Sequence, residues 1–262
     1  MMQSIKLKLG ALAGMLALTA LPAFADPITI NQPSGGSLTA SFIDFSYVAL
    51  VNQTATAGTG TFNEQGAGFF SSYRNPTLAD VVPNTGLNNS YKLYAVFAGD
   101  GTVAPTAGIP GGQTATFNNF NLRLFLDPGM NSTITASPVG TPGGTVSIGG
   151  TTSDDVLVAT STGLIAGEAH AFPGLANGDF NVRVNFEPVG GFLSGPFVLG
   201  LNIADFNGVN TSLQGFSSGN FTSGRIDGSG NVSFSVIPEP ATLLLIGSGL
   251  AALGWIRRRQ TV

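Results

Sequence analysis

The sequence offers few side chains for acid–base or nucleophilic chemistry. The single histidine, His170, lies two residues after Glu168 and could pair with it, although a general base also needs a positioned substrate. Ser217 stands in Gly215-Phe216-Ser217-Ser218-Gly219, which matches the G-x-S-x-G pattern of hydrolase nucleophiles. That chemistry requires a strand-to-helix turn and a histidine downstream, whereas His170 lies upstream. The pattern therefore favours a loop histidine and a protein that is not an enzyme over a secreted surface hydrolase.

Two segments place side-chain oxygens at alternate positions around glycine, as calcium-binding loops do. Neither has the bidentate glutamate that closes an EF-hand loop, and Asx-rich hairpin turns have the same composition. A calcium-dependent carbohydrate-binding module is therefore the alternative function, while the leading hypothesis needs no cofactor. The segments run over residues 205–210 and 227–231, and the candidate calcium ligands are Asp205, Asn207, Asp227 and Asn231.

Composition excludes several other kinds of site and partner. Ten Lys plus Arg against fourteen Asp plus Glu give a net charge of −4, and five of the basic residues lie near the two ends of the chain. An acidic body with scattered cations cannot displace counterions from a polyphosphate, so nucleic acid is not an expected partner. The absence of cysteine excludes disulfides, thiolate nucleophiles and thiolate–zinc sites.

Residues 1–25 have the three parts of a secretory signal peptide. Lys6 and Lys8 form the basic start, an apolar stretch follows over residues 9–21, and Ala23 and Ala25 are the small residues of a cleavage site. The sequence therefore predicts export through the Sec translocon and cleavage by signal peptidase after Ala25.

The other end, residues 238–262, carries a second hydrophobic segment. Pro238, Glu239 and Pro240 precede sixteen residues without a charge, and Arg257, Arg258 and Arg259 follow. Sixteen helical residues span about 24 Å, slightly less than the hydrocarbon core of a bilayer. Trp255 suits the membrane interface and the arginines suit the cytoplasmic side. The segment therefore predicts a transmembrane helix that anchors the precursor transiently in the inner membrane with its body outside.

The tripeptide, the apolar segment and the arginine cluster together resemble the PEP-CTERM sorting signal of Gram-negative bacteria. The resemblance implies processing by exosortase, a membrane transpeptidase that recognises the Pro-Glu-Pro region and removes the helix, usually in bacteria that secrete exopolysaccharide. A second resemblance, to flocculation-associated PEP-CTERM proteins, is carried by Thr59–Gly68 (TGTFNEQGAG) and by Asp44-Phe45-Ser46-Tyr47. It implies a role in binding cells into exopolysaccharide flocs.

The body, residues 26–237, is predicted to be one all-β domain. Apolar residues recur at every second position in several segments, whereas no segment sustains a helical repeat. An antiparallel β-sandwich of the jelly-roll kind, with roughly ten to twelve strands, satisfies this pattern. The Pro- and Gly-rich stretch 127–153 is expected to form a long loop or an edge hairpin. The alternating rows are Phe180, Val182, Val184, Phe186; Ile43, Phe45, Tyr47, Ala49, Val51; Phe197, Leu199, Leu201, Ile203; Leu122, Leu124, Leu126; and Val232, Phe234, Val236.

These features predict a secreted or cell-surface protein of the extracellular matrix. It is expected to associate with extracellular polysaccharide in floc or biofilm formation. Because the body has no tryptophan, aromatic platforms for a dedicated lectin groove are not expected. Weak polar contacts from Ser, Thr and Asn faces, multiplied over many copies, would supply the binding.

Overall fold

The computed structural model describes residues 25–56, 59–76, 80–141, 143–172, 177–195, 202–216 and 223–236. The predicted signal peptide, apart from Ala25, and the predicted sorting signal with its transmembrane helix lie outside these ranges. Within them no segment forms a helix of the length and apolar character needed to cross a membrane.

The described chain is built from β-strands joined by turns and loops. Their bounds, in chain order, are β1 (Ile28–Asn31), β2 (Ser37–Ala40), β3 (Phe42–Thr56), β4 (Thr59–Arg74), β5 (Lys92–Pro105), β6 (Gln113–Asp127), β7 (Thr133–Ala136), β8 (Val146–Gly149), β9 (Val156–Phe172), β10 (Asn177–Pro188), β11 (Leu193–Ser194), β12 (Asn202–Gln214) and β13 (Ser223–Val236).

Eight strands close into one antiparallel barrel in the order β10-β12-β13-β3-β4-β5-β6-β9. The all-β prediction is confirmed, but a closed barrel stands where a two-sheet jelly-roll sandwich was expected. A sandwich and a barrel both bury one face of each strand, so alternation of apolar residues cannot distinguish them. Strands of 12 to 17 residues are long enough to tilt and wrap round, and closure leaves no exposed edge.

The predicted apolar rows face the barrel interior in four strands. Val184 and Phe186 of β10, Ile43 of β3, Leu124 of β6 and Phe234 of β13 are all buried. The prediction that Ile203 faces the interior is wrong. Strand β12 instead buries Asn202, Ala204 and Phe206, and Ile203 is half-buried on the opposite face. Phe197, Leu199 and Leu201 lie outside the described residues.

Several inward positions are occupied by glycine because an aromatic ring from the neighbouring strand fills the space. Gly66 is opposite Phe97, and a Cβ at Gly66 would stand 2.2 Å from the Cζ of that ring. Gly228 is opposite Tyr47, and a Cβ there would stand 2.4 Å from a ring carbon. These glycines let large rings fold across the interior of the barrel.

Two small sheets lie beside the barrel. Strands β11, β1 and β2 form a three-stranded sheet whose Ile28 and Ile30 join the barrel core. The stretch expected to be a long loop or edge hairpin contains the hairpin β7–β8, which pairs only with itself. This hairpin packs on the outside of β3 and β4, where it contributes to burying the outward side chain of Leu50, and Gln65 Nε2 donates to the Gly144 carbonyl at 2.9 Å.

Candidate functional site

The two segments predicted as calcium loops are strands. Residues 205–210 lie within β12 and residues 227–231 within β13, with Asn207 directly opposite Asn231. Asp205 is opposite Ser233, six residues along β13 from Asp227, so the two aspartates stand about 20 Å apart. In the part of the chain that the structure describes, no three His, Asp or Glu side chains are placed to hold a metal ion. The expected loop geometry is therefore corrected to two paired, extended strands.

Asn207 and Asn231 instead belong to a row of side chains on the outside of the barrel. The register continues to Asn181 on one side and to Asp44 on the other, so four neighbouring strands contribute one residue each. We call Asn181, Asn207, Asn231 and Asp44 the outer polar row. Their hydrogen-bonding groups face away from the buried apolar face of the sheet.

Hydrogen bonds hold the outer polar row in place. Asp205 Oδ1 accepts from Asn181 Nδ2 and from Asn207 Nδ2, both at 3.0 Å, while Asp205 Oδ2 pairs with Arg183 Nη2 at 2.7 Å. Asp44 pairs with Arg74 and accepts a hydrogen bond from Ser72. The acidic groups are thus paired with basic ones, and the row presents oriented amides on a surface of low local charge.

Two shallow grooves with polar walls lie near the β3–β4 turn. One has a volume of about 550 Å³ and the other of about 660 Å³, and Asn52 and Asn63 line both. Asn52 Nδ2 donates to Asn63 Oδ1 at 3.3 Å across the hairpin. Asn119 Nδ2 donates to both carboxylate oxygens of Asp100 at 3.1 Å, beside the first groove. Amide and carboxylate groups therefore contribute to this surface as well.

His170 lies on strand β9 and not on the loop that was predicted. Its Nδ1 is 2.6 Å from Asp179 Oδ1 and its Nε2 is 3.4 Å from Glu168 Oε1. The predicted partner Glu168 is therefore close, but both ring nitrogens face carboxylates. Gly215 and Phe216 end the described segment after β12, and Ser217, the candidate nucleophile, lies outside the described residues.

Sequence reasoning missed a cluster of polar side chains inside the barrel. Gln53, Glu64, Gln113 and Asn210 line a cavity of about 40 Å³. A second cavity of about 60 Å³ shares Glu64 and Asn210 and is otherwise walled mainly by aromatic rings. The signal was present in β4, where Glu64 occupies the same alternating face as the buried Phe62 and Phe70. The aromatic rings that line the second cavity are those of Phe45, Tyr47, Phe70, Phe97, Phe117, Phe120, Phe180 and Phe206.

Burial dominates the electrostatics of this interior. It raises the pKa of Glu64 from 4.5 to about 7, because the ionised carboxylate loses its hydration and gains no compensating cation from the described residues. Burial also raises the pKa of Tyr47, with smaller contributions from the charges of Glu64 and Asp227. The Tyr47 hydroxyl donates to Asn210 Oδ1. Glu64 can therefore hold or release a proton near neutral pH in mainly apolar surroundings.

Comparison with known proteins concerns the C-terminal end. A search of the curated proteins found no match. Residues 236–259 match the family model of the PEP-CTERM protein-sorting motif, which spans Pro238, Glu239, Pro240, Trp255 and the three arginines. This motif implies an exported protein of Gram-negative bacteria that exosortase processes and that is secreted or displayed at the cell surface. The chain thus carries a PEP-CTERM protein-sorting motif at residues 236–259.

Proposed function

We propose that the exported barrel is a non-enzymatic protein of the extracellular matrix or cell surface that associates with exopolysaccharide in flocs or biofilms. The observation that carries this proposal is the outer polar row, in which Asn181, Asn207 and Asn231 stand side by side on three adjacent strands. Asn181 and Asn207 use some of their amide groups in hydrogen bonds to each other and to Asp205. The remaining amide donors and acceptors of the row match the hydroxyl groups of a hydrated glycan.

The rest of the outer surface supports contact by hydrogen bonds more than by stacking. The large hydrophobic side chains exposed in the described ranges are all aliphatic, so none offers an aromatic ring to the face of a sugar. A typical hydrogen bond contributes only about 0.5–1.5 kcal/mol net, so each protein would bind weakly. Display of many copies along one polymer would multiply these contacts into stable association. The exposed large hydrophobic side chains are those of Val81, Ile109, Val156, Ile165, Val189 and Val209.

Export directed by the sorting signal supports this proposal, because it would bring the barrel into contact with exopolysaccharide outside the cell. Exosortase processing acts on the C-terminal segment that contains the PEP-CTERM motif, at residues 236–259. The last described strand, β13, ends at Val236, and the Pro-Glu-Pro tripeptide begins at Pro238, so removal of the chain after this tripeptide would leave every described strand intact. The processed protein would then enter the matrix or the cell surface as a folded unit.

Co-sedimentation with exopolysaccharide tests this proposal. The processed protein, isolated from its host, is mixed with exopolysaccharide purified from the same strain, and bound protein is measured over a range of polymer concentrations. Replacing Asn181, Asn207 and Asn231 together by alanine removes three amides and should weaken binding roughly ten- to hundredfold.

The matched control replaces three exposed amides elsewhere, Asn89, Asn121 and Gln214, by alanine. This variant should bind as wild type does, because none of the three belongs to the outer polar row. Equal binding by the row variant and wild type, or an equal loss in the control, would reject the outer polar row as the glycan-binding surface.

A further inference from the structure

Two amide groups buried inside the barrel find no hydrogen-bond partner among the described residues. Gln53 and Gln113 are only 7% and 4% exposed, and within the described ranges the Nε2 atom of each has no acceptor. Both side chains line the same cavity of about 40 Å³, together with Glu64. A buried donor without an acceptor is costly, and such groups in native proteins are satisfied by water or by a ligand.

The larger cavity next to this polar end is apolar. It has a volume of about 60 Å³ and shares Glu64, Ala169, Asn210 and Ile226 with the smaller cavity. Phe97 and Phe120 stack across it with ring centroids 5.6 Å apart, and Tyr47 meets Phe180 edge to face at 5.3 Å. The interior therefore has one hydrogen-bonding end and one aromatic end, as a site for an amphipathic molecule requires.

The charge of the occupant follows from the groups at the polar end. An organic cation would pair with Glu64 but would leave the two glutamine donors without acceptors. At pH 8, where the binding test is carried out and which lies above the Glu64 pKa of about 7, the carboxyl group is mainly ionised. An organic anion would then accept from the glutamines but would be repelled by the Glu64 carboxylate. A neutral hydroxyl group satisfies both, because its oxygen accepts from an amide while its proton is donated to the Glu64 carboxylate.

Cavity volume limits the size of the occupant. A cavity of about 150 Å³ lined by apolar side chains holds benzene. The two adjacent cavities here, of about 40 and about 60 Å³, together suit a molecule of roughly four to six non-hydrogen atoms.

An interruption in the barrel wall supplies a route to the interior. Strands β6 and β9 pair at Thr116–Glu168 and again at Arg123–Thr160, with no register between these points. Phe117, Phe120 and Leu122 come from the stretch of β6 that pairs with β5 but has no register with β9, and they line the larger cavity. The Leu122 amide donates to Ser161 Oγ at 2.8 Å. Opening the wall here would break fewer backbone hydrogen bonds than opening it elsewhere.

From these observations we infer that the barrel interior is a binding site for a small neutral molecule with a hydroxyl head and an apolar body, of the size of a short-chain alcohol. The hydroxyl group lies between Glu64, Gln53 and Gln113, and the apolar body lies against Phe97 and Phe120. This site is separate from the outer polar row and does not depend on glycan binding.

Three probes of equal chain length test the inference by NMR: n-butanol, n-butylammonium and n-butyrate. The processed protein is isotope-labelled, and the side-chain amide signals of Gln53 and Gln113 are followed during titration at pH 8. We expect both signals to shift together and to saturate with millimolar n-butanol, with contacts between butyl protons and the Phe97 and Phe120 rings. The two charged probes should bind roughly tenfold more weakly or worse.

A single substitution adds an independent check. Gln113→Met removes the amide donor at similar volume and should weaken n-butanol binding roughly fivefold or more. Thr116→Val, on the exposed face of the same strand, is the matched control and should bind as wild type does. If the Gln113 variant unfolds, the three-probe comparison on wild type still decides the matter.

Any one of three results would overturn the inference. Absence of saturable shifts with all three probes would mean that water alone occupies the interior. Tightest binding of n-butylammonium would mean that the aromatic rings and Glu64 form a site for cations. Unchanged n-butanol affinity in Gln113→Met would likewise remove the glutamine from the site.

Discussion

Glu64 provides the sharpest test of the buried polar interior. Its pKa is 4.5 in an unfolded chain and about 7 in the folded barrel, where burial disfavours the carboxylate. Between these two pH values the folded state holds a proton that the unfolded state has released. Stability contributed by this group is therefore complete below about pH 4.5 and is lost as the pH rises to about 7.

The size of the effect follows from the same two pKa values. The difference between 4.5 and about 7 corresponds to about 3 kcal/mol of unfolding free energy. Glu64→Gln has nearly the same shape but cannot ionise, so it should avoid this loss. The variant and wild type should be similarly stable at pH 4, and at pH 8 the variant should be more stable by up to about 3 kcal/mol.

Urea unfolding of both proteins between pH 4 and pH 8 measures this difference. Subtracting the two profiles cancels the contribution of the other carboxyl groups. The control is Asp154→Asn, which makes the same change from acid to amide at an exposed position and should change the profile little. Parallel profiles for Glu64→Gln and wild type would refute the interpretation of Glu64 as a buried, uncompensated carboxyl group.

Two further predictions concern the packing that shapes the barrel. Gly66→Ala places a methyl group against the Phe97 ring and should lower the unfolding free energy by about 1–3 kcal/mol, while adding Phe97→Leu should restore part of it in urea unfolding. Leu50→Ala removes a side chain that is 1% exposed and packs against Gly144 before β8, so it should cost about 2–5 kcal/mol. It should also speed limited proteolysis between β7 and β8, whereas Val209→Ala at a 50% exposed position should leave both measurements unchanged.

The sequence predicted individual strands better than it predicted their assembly. Alternation identified β10 because its inward residues are mostly large and apolar and its outward residues are polar. It identified β3 from the inward apolar row alone, since the outward face of β3 also carries Leu50. Barrel closure does not change that alternation, because closure depends on how the first and last strands of the sheet pair with each other. β12 was misjudged because its inward row contains Asn202, Gly208 and Asn210 beside only one large apolar residue, Phe206.

Glycine explains why the segments around Asp205 and Asp227 were taken for turns. In a turn, glycine supplies a positive φ, but Gly208 and Gly228 serve close packing inside extended strands. A Cβ at Gly208 would stand 2.5 Å from the Phe180 ring. The sequence shows the glycine but not the ring that covers it, because Phe180 lies 28 positions earlier in the chain and comes next to Gly208 only when β10 pairs with β12.

The interior polar site was hidden for a similar reason. Gln53 and Gln113 are separated by 60 positions in the sequence and meet only when the barrel closes. A glutamine at an alternating position is usually solvated, so neither residue suggests a site by itself. They line one cavity because the strand order of the barrel brings β3 and β6 together around the same part of the interior.

Mass spectrometry of the mature termini, in cells with and without exosortase, tests the export and processing of this barrel most directly. With exosortase, the surface or secreted protein should begin at Asp26 and should lack everything after the Pro238–Pro240 region. Without exosortase, the chain should keep its hydrophobic segment and remain in the membrane fraction. A surface-exposed chain that still carries Arg257, Arg258 and Arg259 in exosortase-positive cells would contradict the account.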